Sequence, residues 1–438
     1  MTLGKFETVE ELAVSTEHAL VHEAGWQSWS PSGTYPVTGL SPRPANSTQQ
    51  DMRFRPEAPA PARGFQSEGV LLVDPGPDAP TRIYCAEDSA TVPTIRAELR
   101  RSRLAVAANG SVRTVLVQGG IADALARFGS DFALRVGAAP LRPAPTAWCS
   151  WYQYFDEVTD ADIAENLDAM ARLDLPIDVV QVDDGWQSGI GDWTTYSENF
   201  RDFPDLVRRI HDSGRRAGIW IAPLTVGSKS RLAAEHPDWL IGTAGHNWNQ
   251  SLHGLDVTHP AAEAYLRESI ARLRALGIDY VKLDFLYTGA LVGNRHDPAI
   301  GPVDAYRMGL AVVREEMGED AYLVGCGAPI LPSVGLVDAM RISGDVFHSG
   351  PAARADSLRG ETSIRARAWQ QGRFWVNDTD CLVARPSFAK RREWAALIDQ
   401  LGGLRSASDR IRELDGWGIE TTRQLLSEVP PPVPFPST

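Results

Sequence analysis

The 438 residues carry 43 basic side chains against 56 acidic ones, a formal charge of −13. A field of that sign repels polyphosphate, and no basic stripe is present to displace counterions, so nucleic acid and anionic membrane are poor partners. Only four of the basic residues are lysines, Lys5, Lys229, Lys282 and Lys390; coding bias explains the scarcity, and three of the four read as surface positions.

No apolar stretch reaches the roughly 20 residues of a membrane span. The first 25 residues hold Lys5, Glu7, Glu10, Glu11 and Glu17 without a continuous apolar run, so no secretory signal is expected. Cysteines 85, 149, 326 and 381 show no paired spacing; the expectation is a reduced, cytoplasmic protein. Thirteen tryptophans supply flat apolar surface of the kind that binds sugar C–H faces, although any single one is more simply explained by core packing.

From Phe6 to about Leu141, short β-rich runs (Val70–Val73, Thr81–Tyr84, Ser111–Val117) alternate with Pro, Gly and Asn clusters. This predicts an antiparallel sandwich-like domain over residues 1–143. Within it, proline-rich Ser30 to Arg63 reads as one long loop. Trp26 and Trp29, in Gly25-Trp26-Gln27-Ser28-Trp29, read as core, with a reach toward a later pocket as the alternative. Arg142-Pro143-Ala144-Pro145 forms a stiff boundary.

Beyond it, apolar runs alternate with amphipathic helical stretches over residues 144–430. The predicted strands are Ala147–Trp151, Asp178–Asp183, Ala217–Ala222, Asp279–Asp284, Tyr322–Cys326, Ala339–Ser343, Phe374–Asn377 and Gly402–Ser406. Helices are predicted between them, most clearly over Asp160–Leu173 and Ala261–Leu276. Eight such units in a row favour an α/β fold of the closed (β/α)8, or TIM, barrel type. Leu255-Asp256-Val257 is assigned to a short element in a long loop after the third strand. No glycine-rich phosphate loop follows a first strand. Residues 431–438 read as an extended, loose Pro-rich tail.

The strand ends concentrate chemistry. The second strand ends in Asp183-Asp184-Gly185-Trp186, the fourth in Lys282-Leu283-Asp284-Phe285, the sixth in Arg341-Ile342-Ser343-Gly344-Asp345 and the seventh in Asn377-Asp378-Thr379-Asp380. In a barrel these ends build the active site. Asp378 and Asp380 read as caps or loop residues, since Asp is a favoured cap. Asp284 does not, because an apolar run leads to it and Lys282 lies two residues back on the same side of the strand. Two acids on different strands suit glycoside hydrolysis, one attacking the anomeric carbon while the other protonates the leaving oxygen.

The segment from about Ala147 to Arg385 resembles the α-galactosidases of glycoside hydrolase family 36, with more distant kinship to family 27. The resemblance is carried by Trp148-Cys149-Ser150-Trp151-Tyr152, Val182-Asp183-Asp184-Gly185-Trp186, Gly218-Ile219-Trp220-Ile221-Ala222-Pro223 and Asn247-Trp248-Asn249. It continues through Tyr280-Val281-Lys282-Leu283-Asp284-Phe285, Gly325-Cys326-Gly327, Met340-Arg341-Ile342-Ser343-Gly344-Asp345 and Phe374-Trp375-Val376-Asn377-Asp378. It implies Asp284 as nucleophile and Asp345 as acid/base. It also implies that Asp183 and Asp184 accept from the 4- and 6-hydroxyls of a terminal galactose, and that Lys282 and Arg341 donate to ring hydroxyls. Trp151, Trp220 and Trp248 would wall the pocket, and Cys326 would either line it or serve as a small buried apolar residue. The implied substrate is a small α-galactoside such as melibiose or raffinose, with no cofactor and no metal.

Measured against that family, the first domain is short and the usual C-terminal β domain does not follow, which leaves oligomeric state and preference for long oligosaccharides open. Action on α-N-acetylgalactosaminides, transglycosylation and inert galactose binding are the alternatives; a metal-dependent barrel enzyme is disfavoured because no hard-ion ligand cluster stands out. In so arginine-biased a chain, a lysine at 282 suggests that a compact ammonium is needed there, not a planar fork.

Overall fold

The computed structural model describes residues 4–77, 79–346 and 360–436. Two antiparallel sheets come first. One is ordered β1 (Glu7–Ala13), β8 (Arg103–Ala108), β7 (Thr94–Arg100), β4 (Phe65–Glu68). The other is ordered β3 (Gly33–Pro36), β2 (Leu20–Glu23), β5 (Val70–Asp74), β6 (Thr81–Cys85), β9 (Arg113–Val117). Strand β5 explains how they stack, because its alternate side chains serve different cores. Leu71 and Val73 join Val21, Ile95, Leu104 and Val106 between the sheets. Val70 and Leu72 face the other way, into the core shared with the barrel.

That second face is covered by helix α2 (Ile121–Arg135), whose buried stripe includes Ile121, Leu125, Phe128 and Phe132. Phe128 and Phe132 pack against Phe374, with ring centroids 6.2 and 5.7 Å apart. Each buried phenylalanine contributes on the order of 2 kcal/mol, so the helix joins sandwich to barrel through a continuous apolar seam. The long loop contains one feature the sequence reading passed over: helix α1 (Ser47–Arg53), with the Asn46 side chain accepting from the Gln49 N–H at its start.

Eight parallel strands follow: β10 (Ala147–Cys149), β11 (Val179–Val182), β12 (Arg216–Ile221), β17 (Ile278–Leu283), β18 (Tyr322–Gly325), β19 (Ala339–Arg341), β20 (Val376–Asp378) and β21 (Ser406–Ala407). The ladder runs from β20 through β19, β18, β17, β12, β11 and β10 to β21. Its two ends meet where the Gly403 and Leu404 N–H groups donate to Asn377 O at 2.9 and 3.0 Å, closing the barrel. Seven predicted strands match within two residues; the eighth is only Ser406–Ala407, because Gly402 caps the preceding helix through Ile398 O and Gly403 and Leu404 are used for closure. Between β12 and β17, a small antiparallel sheet of β13 (Thr225–Gly227), β14 (Leu240–Ile241), β15 (His246–Asn247) and β16 (Gln250–Leu255) stands over the barrel. Leu255 ends β16, in the long third loop as expected.

The period of two along each strand sets up the site. Ala147, Val179, Tyr280, Tyr322, Val324, Ala339, Val376 and Leu404 form a separate buried cluster that fills the barrel floor. Gly218 leaves room for it, since a Cβ there would stand 2.9 Å from Tyr280 Cδ1. Two or four residues further along the same strands come Cys149, Gln181, Asp183, Lys282, Asp284, Cys326, Arg341, Asp378 and Asp380. The tail departs from its reading. Gln371 Nε2 donates to Pro431 O at 3.5 Å, Phe435 packs on the main core, and a Cβ on Gly372 would meet Val433.

One side chain ties the first domain to the barrel mouth. Arg367, fully buried, donates to the carbonyls of Ser28 (2.7 Å), Gln27 (3.0 Å) and Ser30 (2.9 Å) and to Ile342 O (2.8 Å). Among the described residues no carboxylate pairs with it, and burial pulls its guanidinium down to about 9. Replacing it orphans several buried carbonyls, each worth roughly 1–3 kcal/mol. Arg367→Leu is expected to lower unfolding free energy by at least ~3 kcal/mol; an unchanged urea midpoint would rule the tie out.

Candidate active site

A cavity of about 320 Å³ opens at the C-terminal end of the barrel, lined by Asp183, Asp184, Lys282, Asp284 and Asp345 among aromatic walls. The register brings them together. Trp220 on β12 lies opposite Lys282 on β17, so both project inward at the same level. The Lys282 ammonium, buried, sits 3.1 Å from Asp183 Oδ2 and 3.8 Å from Asp284 Oδ2. Burial disfavours its charge, but Asp183 and then Asp284 outweigh that and hold it well above the usual lysine range.

Each carboxylate is fixed from behind. Asp284 Oδ2 accepts from Trp220 Nε1 at 2.9 Å and its Oδ1 from the Phe285 N–H at 2.9 Å. Phe285 reaches that geometry with φ 51°, left-handed backbone that a bulky residue adopts only under constraint. Asp183 Oδ2 accepts from Gln181 Nε2 at 2.6 Å and from Lys282, while its Oδ1 takes the Asp184 N–H at 3.0 Å. Asp184 Oδ1 accepts from Gln187 Nε2 at 2.6 Å and its Oδ2 from Trp248 Nε1 at 2.7 Å. Burial pushes Asp184 up to about 6, against those two donors and with Asp183 adding to the rise.

The indoles therefore hold carboxylates as well as walling space. Trp248 does so from the tip of the β15–β16 hairpin, where Asn247 pairs with Gln250 and Trp248 and Asn249 have φ 48° and 53°. That is a two-residue turn with both central residues left-handed, a geometry that normally selects Asn and Gly. Trp151 lines the opposite wall, edge-on to Phe155 at 5.2 Å.

Residues 141–318 match the melibiase family. The structure superposes on the α-galactosidase of Thermus thermophilus in complex with p-nitrophenyl α-D-galactopyranoside, with a TM-score of 0.80 and 26% identity, covering 97% of this chain and 90% of that one. The chain is a homologue of the melibiase-type α-galactosidases. Curated relatives include the bifunctional α-galactosidase/sucrose kinase of Mediterraneibacter gnavus, 32% identical over 151 residues (32% of this chain, 15% of that protein). The α-xylosidase of Lactiplantibacillus pentosus is 30% identical over 156 residues (32% and 20%). The match thus spans a fifth or less of the length of these two relatives.

In this melibiase homologue, several side chains sit elsewhere than the sequence suggested. Trp29 lines the cavity, not the core, with its ring edge-on to Phe285 at 4.8 Å and its Nε1 directed at Cys326 Sγ, 3.4 Å away. Trp26 is buried beneath Arg55. Cys326 and Arg341 do not line the cavity; both are buried behind it, and Cys326 is covered by Trp29. Burial, then the nearby Asp284, pushes the Cys326 thiol well above its usual range.

Arg341 is held by acids instead: Asp378 Oδ2 at 3.1 Å, Asp380 Oδ1 at 2.9 Å and Asp345 Oδ1 at 3.3 Å. Asp378 and Asp380 are accordingly buried ionic partners and not caps. Sequence reasoning also missed Thr48, Gln49, Met52 and Arg53 of α1, and His246, all at the cavity rim. Among the described residues, no group of three or more His, Cys, Asp or Glu could hold a metal ion, and no helix is long and apolar enough to cross a membrane.

Two outcomes are expected. Lys282→Arg keeps the charge but puts a planar fork where one ammonium fits between two carboxylates. It should cost about 10- to 100-fold in kcat/KM, the value of a hydrogen bond to a charged group; an unchanged kcat/KM would contradict that role. Asp184 accepts hydrogen bonds best when ionised, so KM should rise as pH falls through about 6. Asp184→Asn should raise KM and flatten that dependence; a pH-independent KM in the parent enzyme would count against it.

Proposed function

We propose that the protein is a retaining exo-α-galactosidase that removes terminal α-linked galactose from small oligosaccharides such as melibiose or raffinose by double displacement. The observation that carries this reading is the pairing of Asp284 and Asp345, from β17 and from the loop after β19, on one closed-bottomed cavity with Asp183 and Asp184. Asp284, gripped by an indole N–H and a backbone N–H, is aimed to attack the anomeric carbon. Asp345, with 30% of its side chain exposed, stands at the mouth, where a leaving oxygen would depart and water enter.

In the first step Asp284 forms a bond to C1 as the C1–O bond breaks, and the leaving oxygen takes the proton of Asp345. In the second, Asp345 removes a proton from water, whose oxygen displaces Asp284 from C1 with net retention. Asp183 Oδ1 and both Asp184 oxygens keep lone pairs for sugar hydroxyls, and a site built on buried acceptors rejects a sugar that leaves them unpaired. The closed floor of tyrosines and valines limits binding to a chain end. The Thermus enzyme of the same fold was observed with a p-nitrophenyl α-galactoside bound, which supports this choice of sugar.

A second reading, α-xylosidase action, is raised by the relative of that name. It predicts little use for Asp184, since a pentopyranose has no C6 hydroxyl; the two donors that orient Asp184 favour the hexose. A panel of aryl α-glycosides differing at C2, C4 and C6 separates these readings, and also tests α-N-acetylgalactosaminide hydrolysis. Asp284→Ala is expected to lose at least about four orders of magnitude in kcat on the aryl galactoside, and added azide should then give β-galactosyl azide. A mutant keeping most of its turnover, or an α-linked azide product, would overturn the assignment of the nucleophile.

A further inference from the structure

Behind the cavity lies an ion cluster that the double displacement does not itself use. Its centre is Arg341, the inward residue of β19, and its outer members are Asp378 and Asp380 on and after β20. Asp380 is fully enclosed. Its Oδ1 faces Arg341 Nη2 at 2.9 Å and accepts the Cys381 N–H at 2.8 Å; its Oδ2 accepts the Val346 N–H at 3.0 Å and the Tyr152 hydroxyl. The backbone of Asp380 is itself unusual, with φ 100°, and its N–H donates to Asp378 Oδ1 at 2.8 Å. A non-glycine residue in that conformation persists only where its surroundings over-determine it. Here the carboxylate does so from four directions.

Two of those contacts lead to Asp345. Val346 is the next residue along the chain, so its N–H bond to Asp380 fixes the peptide that carries the Asp345 carboxyl. Arg341, held by Asp378 and Asp380, presents its Nη1 to Asp345 Oδ1 at 3.3 Å. Asp345 has no strand beneath it, because β19 ends at Arg341; its position depends on these two attachments. Tyr152, from the helical turn after β10, closes the cluster from the other side.

We infer that Asp380 is a positioning residue for proton transfer, aiming Asp345 through the Val346 N–H and through Arg341 while Tyr152 orients its carboxylate. This rests on the reading of Asp345 as proton donor. Asp380 touches neither the cavity nor the sugar, so its loss impairs the protonated departure of the leaving oxygen more than attack by Asp284.

The test compares two substrates in the full-length enzyme. Melibiose needs a proton on its leaving oxygen; α-galactosyl fluoride departs almost without one. Asp380→Asn should lower kcat/KM on melibiose by about 30- to 100-fold, within the range of lost acid catalysis, and on the fluoride by less than about threefold. Tyr152→Phe, which keeps the buried ring and removes only the hydroxyl, should show the same split more weakly, and it decides the matter if Asp380→Asn does not fold. Equal losses on both substrates, or none on either, would overturn the inference. Asp345→Ala is the reference: if it shows the split and the other two variants do not, the positioning role fails alone. If Asp345→Ala itself falls equally on both substrates, the proton-donor reading fails first.

Discussion

One ammonium buried between two carboxylates is the constraint on which the barrel mouth depends. Taking Lys282 and Asp183 out of water costs several kcal/mol per ion, and their attraction offsets this only when the remaining hydrogen-bonding positions are also filled. The surrounding sequence fills most of them. Gln181 and the Asp184 N–H also donate to Asp183, whose Oδ1 keeps one position open, while Trp220 and the Phe285 N–H donate to Asp284. Because Trp220 and Lys282 are register partners, a slip of one residue between β12 and β17 would turn one of the two away from the acids. Pairing of the central strands and assembly of the site are therefore one event.

Strain is gathered at the same mouth. Among the described residues, seven non-glycine positions have positive φ; four of them, Phe155, Trp248, Phe285 and Asp380, touch the cavity wall or the ions behind it, and a fifth, Asn249, follows Trp248 in its turn. Each such residue costs on the order of 1–3 kcal/mol. The return is directional: Phe285 turns its N–H onto Asp284, and Trp248 turns its indole onto Asp184. Rigid aromatic packing holds these conformations, Phe285 lying 4.8 Å from both Trp29 and Trp248.

The barrel was legible because buried parallel strands are mostly apolar runs that end abruptly in polar residues, and Tyr280–Leu283, interrupted only by Lys282, is such a run before Asp284. Site residues carried on those strands were legible for the same reason. Contacts made across long sequence separations were not. Asp378 and Asp380 resemble caps until Arg341, 37 residues earlier than Asp378, is placed on the neighbouring strand. Trp29 belongs to a loop whose destination has no local signature, being fixed by Arg367, more than 300 residues away. Helix α1 did leave a signal: Asn46 followed by nine residues without proline or glycine, between Pro44 and Pro56, is a capped turn of helix inside a proline-rich loop.

Those last two features change what the first domain is for. Trp29 forms part of the cavity wall and α1 part of its rim, and the peptide Gln27–Ser30 is clamped by the same arginine that holds Ile342, three residues before Asp345. The sandwich is thus a component of the site and not an appendage. The two halves of that site also differ in charge. Lys282 faces two carboxylates, whereas Arg341 faces three, so the Arg341 cluster is two charges negative when all are ionised. Burial pushes Asp380 up to about 6 despite Arg341, with Asp345 and Asp378 adding to the rise. A surplus of negative charge favours retention of a proton somewhere in that cluster, and the cluster includes Asp345, the proposed proton donor. Asp284, the proposed nucleophile, lies in the other half, 3.8 Å from the Lys282 ammonium, where two carboxylates face one cation and the surplus is a single charge.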